Sequence, residues 1–115
     1  MSFGAGVPTV GVGDFTEGDF LLDVREDDEW EAGHADGALH IPISEFVARY
    51  GELTEAAPQD GRVHVICRSG GRSAQVTMYL VQQGIDAVNV DGGMQAWAAT
   101  GRPVVDAKGQ PGFVL

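Results

Sequence analysis

The chain has 115 residues, with 7 Lys plus Arg against 17 Asp plus Glu and a formal charge of −10. That is one domain's worth of sequence, able to bury roughly two-thirds of the surface its unfolded form exposes, and its charge opposes binding modes that neutralise nucleic-acid phosphates or anionic membranes. With 43% hydrophobic and 21% charged residues a globular core is expected, and a single cysteine excludes an intramolecular disulfide, a CxxC redox pair and a thiolate zinc cage.

The segment MSFGAGVPTVGVGDF carries no basic n-region and no continuous apolar stretch, and no run of about 18 apolar residues follows. The chain therefore reads as cytoplasmic and soluble. Phe20 to Val24, Ala38 to Ile41, Val63 to Ile66 and Ala87 to Val90 are aliphatic runs with little alternation, the mark of strands buried on both faces. Helix-compatible segments lie between and after them: Glu26 to Ala32, Ser44 to Tyr50, Ser73 to Gln83 and Met94 to Ala99. Alternating strands and helices predict an α/β fold with a parallel sheet covered by helices.

The strongest helical signal is Ser73 to Gln83, with Val76, Tyr79, Leu80 and Gln83 on one row and Ala74, Met78 and Val81 on a second. The two rows predict a mostly buried helix, capped by Gly84 in a left-handed conformation. The tail, Gly101 to Leu115, has no periodicity and is expected to lie along the surface with some mobility.

Acidic residues crowd into Glu26 to Glu31, as suits the first turn of a short helix. None occurs between Asp60 and Asp86, a stretch that holds Arg62, Arg68, Arg72 and the only cysteine. Such a reversal in an acidic protein points to an anion site centred on Cys67-Arg68-Ser69-Gly70-Gly71-Arg72-Ser73. Cys67 follows a strand directly, and in open parallel sheets ligands sit at the carboxyl ends of strands, where the next helix presents unpaired amides. Gly70 and Gly71 allow positive φ, so amides from Arg68 to Ser73 can turn inward as a nest around Sγ.

An unperturbed thiol, pKa about 8.5, is roughly 3% thiolate at pH 7; a pKa of about 6.5 makes it roughly three-quarters thiolate. The difference is about 2.7 kcal/mol, within reach of several amides, a helix N-terminus and two guanidinium groups. A lowered Cys67 pKa is predicted. No general base stands beside it: His64 is three residues back on the same strand and faces the other side, and His34 is expected to bond a loop carbonyl. With His40 the three histidines have no matching carboxylate spacing, so no metal site is expected, and no cofactor is expected. A thiolate among amides without a base suits attack on sulfur or phosphorus bearing negative oxygens. The spacing Cys67 to Arg72 is Cys-x4-Arg, one residue shorter than the phosphate-wrapping Cys-x5-Arg loop, and better matched to a single sulfur atom.

These residues resemble the rhodanese family of sulfurtransferases from about Phe20 to Val104. The resemblance is carried by Leu22-Asp23-Val24-Arg25-Glu26, by Glu31-Ala32-Gly33-His34 through Gly37-Ala38 into Ile41-Pro42, by Cys67 to Ser73, and by Asp91 to Trp97 followed by Gly101-Arg102-Pro103-Val104. It implies one three-layer domain over 1–115, its core about 7–104 and its tail 105–115, with a five-stranded parallel sheet of order 1-5-4-2-3. It also implies a catalytic Cys67 that takes sulfur from a small anionic donor such as thiosulfate and passes it to cyanide, a thiol or an acceptor protein. Arg68, Ser69, Gly70, Gly71, Arg72 and Ser73 would bind the donor, the two arginines attracting it and the amides holding the outer sulfur. Asp23, Arg25, His34 and Trp97 would be scaffold. Ala35 departs from the family's usual larger aliphatic residue, and the first strand and helix that the resemblance places within Val7 to Gly18 are short and glycine-rich. Two other readings stay open: a non-catalytic protein-binding module, and a phosphatase or arsenate reductase on the same scaffold.

Overall fold

In the computed structural model residues 6–115 are described; the first five residues of the expected single domain and leaderless N-terminus lie outside that description. The aliphatic runs without alternation become the interior of a five-stranded sheet. Its strands are β1 (Thr9–Val10), β2 (Phe20–Asp23), β3 (Leu39–His40), β4 (Val63–Ile66) and β5 (Ala87–Val90), in the order β1-β5-β4-β2-β3. Every pairing is parallel, with Asp23 opposite Ile66 and Val65 opposite Asn89. All four residues of β4 and of β5 are buried, because helices cover both faces. The helices are α1 (Asp27–Ala32), α2 (Tyr50–Ala56), α3 (Gly71–Gln82) and α4 (Gly93–Ala99).

Side-chain parity along the strands divides the core in two. Leu22, Val63, Val65, Cys67 and Ala87 face Phe46, Leu53, Val76 and Leu80. Leu21, Ile66 and Val90 face Val12, Phe15, Met94 and Trp97. His64 belongs to the second side, its ring edge-on to Phe15 at 5.1 Å, so it does face away from Cys67.

The helix expected within Val7 to Gly18 is a 3-10 turn at Val12–Asp14, and two further helices differ from expectation. The helix expected over Ser44 to Tyr50 is a 3-10 turn at Ile43–Glu45 and further turns, and the helix proper is α2, at Tyr50–Ala56. The burial that decides is Leu53, fully inside, while Val47 is 79% exposed. Phe46, Tyr50 and Leu53 form the inward row, and the apolar residue between them points to water. In α3 only one face is buried, by Ser73, Val76, Thr77 and Leu80; the second row, Ala74, Met78 and Val81, is half-buried to exposed. Two hydroxyl residues complete the inner face where apolar counting placed none. Gly84 follows the helix at φ +84, and the Ile85 amide closes the end on the Leu80 carbonyl at 3.0 Å, as a left-handed cap does.

The end of β2 is locked by Asp23 and Arg25, both fully buried. Arg25 Nη2 donates to Asp23 Oδ2 at 2.7 Å and to the Gly33 carbonyl at 2.8 Å, tying the strand to the far end of α1. His34 and His40 stack on either side of Trp30, at 3.6 and 4.6 Å between ring centroids. His34 Nδ1 lies 2.7 Å from the Trp30 carbonyl. The tail packs back over α1: His34 and Val105 form an antiparallel bridge, as do Val105 and Pro111, and the Phe113 amide bonds the Ala32 carbonyl at 3.0 Å.

Removing one member of a buried ion pair leaves an uncompensated charge, at a cost of about 3–5 kcal/mol. Arg25→Leu is expected to lose that much in urea unfolding, and Asp23→Leu combined with Arg25→Leu to lose less than Arg25→Leu alone.

Candidate active site around Cys67

Cys67 lies one residue past β4, with the Ile66 carbonyl before it held by the Val24 amide at 3.0 Å. Helix α3 begins at Gly71, two residues earlier than Ser73, because Gly70 at φ +117 turns the chain straight into it. Only Cys67 to Gly70 therefore form loop, and Arg72 and Ser73 sit in the first helical turn, where amides have no intrahelical acceptor. The backbone after β5 closes against the same turn: the Met94 amide bonds the Cys67 carbonyl at 2.8 Å and the Gln95 amide the Arg68 carbonyl at 3.0 Å. A Cβ on Gly93 would collide with that Cys67 carbonyl, so only glycine permits the approach.

Sγ receives the Gly70 amide at 3.1 Å and lies 3.2 Å from Ser73 Oγ. Burial pushes the thiol up, but hydrogen bonds from the Ser73 hydroxyl and from the amides of Ser73, Gly70 and Ser69 outweigh it, so the Cys67 pKa is lowered. Cys67 is only 1% exposed, yet the surrounding donors point at it. Burial here supplies a low-dielectric floor in which each donor counts for more.

The arginines are placed differently from one another. Arg62 stands at the other end of β4, 3.4 Å from Asp86, and takes no part in the loop. Arg68 is exposed, with Nε donating to the Leu115 carbonyl at 2.7 Å. Arg72 forms a two-pronged bridge to Glu29 of α1, at 2.7 and 2.9 Å. That bridge, with a further bond from the Glu26 amide, holds the Glu29 carboxyl at about 2 and pushes the Arg72 pKa up. The positive potential expected of the acid-free stretch is thus partly cancelled from outside it. Fixed amides, the Ser73 hydroxyl and Arg68 remain.

Two residues at the site went unnoticed in the sequence. Glu29 hid inside an acidic run that a helix dipole explains by itself. Asn89 reaches the loop from β5, and its signal was its type: a lone amide in a strand otherwise apolar. No group of His, Cys, Asp and Glu that could hold a metal ion occurs among the described residues, and no helix among them is long and apolar enough to cross a membrane. A hollow of about 720 Å³ lies beside Phe15, Phe20, Trp97 and Arg102, but Cys67 does not line it.

The family model for the rhodanese-like domain matches residues 13–100. A putative sulfurtransferase of Bacillus subtilis, YtwF, is 42% identical over 84 residues, which cover 73% of this chain and 78% of that protein. A sulfurtransferase of Allochromatium vinosum is 40% identical over 95 residues, covering 82% and 85%. The crystal structure of a rhodanese-related protein from Thermoplasma volcanium superposes with a TM-score of 0.76 at 36% identity, covering 85% of this chain and 97% of that one.

The Glu29–Arg72 bridge carries a pH signature. A carboxyl whose folded pKa is depressed stabilises the fold above its unfolded value, near 4.5, and loses that contribution as pH falls toward about 2. Glu29→Gln is expected to lower Tm at about pH 6, and the gap from wild type to close as pH falls through that window. Thermal melts across pH check this.

Proposed function

The chain belongs to the rhodanese-like domain family, and we propose that it is a sulfurtransferase in which Cys67 carries the sulfur as a persulfide. The observation that carries this reading is the convergence of the Gly70 amide and the Ser73 hydroxyl on a buried Sγ with no imidazole beside it. His64 lies on the opposite sheet face, and His34 and His40 are held against Trp30. Acyl transfer needs a base to take a proton from the nucleophile and an acid to protonate the leaving group. Attack of a thiolate on sulfane sulfur needs neither.

In the first step the Cys67 thiolate attacks the outer sulfur of a donor such as thiosulfate. A new S–S bond forms on Sγ, the donor's own S–S bond breaks, and sulfite leaves with the electron pair. In the second step an acceptor nucleophile, cyanide in an assay or a thiolate in the cell, attacks the outer sulfur and Cys67 leaves as thiolate. No net proton transfer is required, and the same donors that stabilise the attacking thiolate stabilise the leaving one. The sealed floor favours a reactant that presents one small terminal atom. The shorter loop, with its helix opening at Gly71, supports a single sulfur atom over a phosphoryl group.

The remaining roles follow from position. Arg68, exposed beside the loop, is the cation that meets an anionic donor in a protein of charge −10. The amides of Ser69, Gly70, Gly71 and Ser73 at the start of α3 hold the transferred sulfur. Arg72, bound to Glu29, contributes less free charge than Arg68 and fixes the first turn of the helix.

Intact-mass analysis after incubation with thiosulfate tests the reading. Wild type is expected to gain one sulfur atom and to lose it on adding cyanide, and Cys67→Ser to gain nothing. A wild-type protein that stays unmodified at saturating thiosulfate and with a persulfide donor contradicts it, leaving a binding module on the same scaffold.

A further inference from the structure

Asn89 is buried within β5, on the sheet face that carries Cys67. A polar side chain in such a place costs free energy unless its hydrogen bonds are met, and both of its bonds go to the active-site turn. Nδ2 donates to the Gly70 carbonyl at 3.2 Å, and Oδ1 lies 2.5 Å from Ser73 Oγ. The orientation of the amide follows from chemistry: a carbonyl only accepts, so the nitrogen must face Gly70 and the oxygen must face Ser73.

Ser73 Oγ thus has two acceptors within reach, Asn89 Oδ1 and Cys67 Sγ, and one proton to give. With Cys67 as a thiol, S–H donates to Oγ and the hydroxyl donates to Asn89. With Cys67 as a thiolate, the charged sulfur is the stronger acceptor and takes the hydroxyl proton. A helical serine has a third option, donation back to a carbonyl of the preceding turn. For Ser73 one such carbonyl is Gly70, and its two lone pairs are already taken by Asn89 Nδ2 and by the Ala74 amide at 3.1 Å. One side chain therefore parks the hydroxyl beside the sulfur and blocks a competing acceptor.

We propose that Asn89 is a positioning residue for the Cys67 reaction, acting on the Ser73 hydroxyl both directly and by occupying the Gly70 carbonyl. It rests on the reading of Cys67 as a working nucleophile, but concerns how the sulfur's donors are aimed. Asn89 makes no hydrogen bond to Sγ; its bonds reach Gly70 and Ser73. Its effect is to hold the Ser73 hydroxyl 3.2 Å from sulfur, its proton directed to Oδ1 while sulfur is a thiol and turned to sulfur when sulfur is charged, both before donor attack and as thiolate leaves in the second step.

The test is the pH midpoint of Cys67 alkylation by iodoacetamide in wild type, Asn89→Leu, Asn89→Thr, Ser73→Ala and Ser73→Ala combined with Asn89→Leu. Leucine removes both bonds at similar size. Threonine suits a strand and keeps a hydroxyl too short to bridge to Gly70, so it carries the test if the leucine variant does not fold. Each folded single variant is expected to raise the midpoint by on the order of one pH unit, and the double variant to match Ser73→Ala alone, because Asn89 acts through the hydroxyl. A wild-type or lowered midpoint in either folded Asn89 variant overturns the proposal, as does a double variant whose shifts add. Because alkylation needs no sulfur donor, the result stands whether or not wild type accepts sulfur from thiosulfate. Failure to accept sulfur would reject the sulfurtransferase reading, while the alkylation midpoints would still decide the role of Asn89.

Discussion

The architecture around Cys67 turns on stabilising one negative charge with donors that do not move. A lone thiolate in a protein of charge −10 has little help from the overall field, and burial alone works against it. What offsets that is backbone: Gly70 at positive φ sends the chain from β4 directly into α3, so the unpaired amides of the first turn gather at the strand end. The turn is held in place by contacts from four directions. Gly93 allows the β5–α4 backbone to bond the carbonyls of Cys67 and Arg68, Asn89 bonds Gly70, Glu29 bonds Arg72, and the Leu115 carbonyl takes Arg68 Nε. Rigid donors need no reorganisation when charge appears on sulfur, which is where electrostatic catalysis gains most.

The electrostatics divide accordingly between fixed dipoles and mobile charges. Arg72 is the formal cation closest in sequence to the ring of donors after Arg68, yet Glu29 neutralises it through a bridge between α1 and α3. Its value is mechanical, in fixing the start of α3 against α1. Arg68 stays exposed, with Nε on the Leu115 carbonyl. A chain that relied on guanidinium groups for thiolate stability would gain less here than one relying on amides. Dipoles at about 3 Å act at short range and leave the acidic exterior unchanged.

How legible this was in the sequence depended on range. The strands Phe20–Asp23, Val63–Ile66 and Ala87–Val90 were visible because double burial writes itself as unbroken aliphatic runs. The Cys67 turn was visible because the cysteine closes such a run at the carboxyl end of a strand and paired glycines follow it before the next helix. His64 was placed correctly by parity alone. Helix α2 was displaced because Val47 counts as apolar but stands in water, while Leu53, beyond the expected end, supplies the buried anchor. Glu29 and Asn89 were missed because their partners lie 43 and 16 residues away. Local spacing carries no trace of such pairs, and an acidic first turn already had an explanation. Even so, an amide inside a buried strand is a question that a sequence can pose.

The central claim is that peptide and hydroxyl donors hold the Cys67 pKa below its ordinary value. Its most direct measurement is the ultraviolet thiolate absorbance of the wild-type protein titrated with pH, against Cys67→Ser as the blank. A single transition well below the value of about 8.5 for free cysteine is predicted. A transition at or above that value would show that burial outweighs the donors, and the account of Cys67 as a poised nucleophile would be wrong.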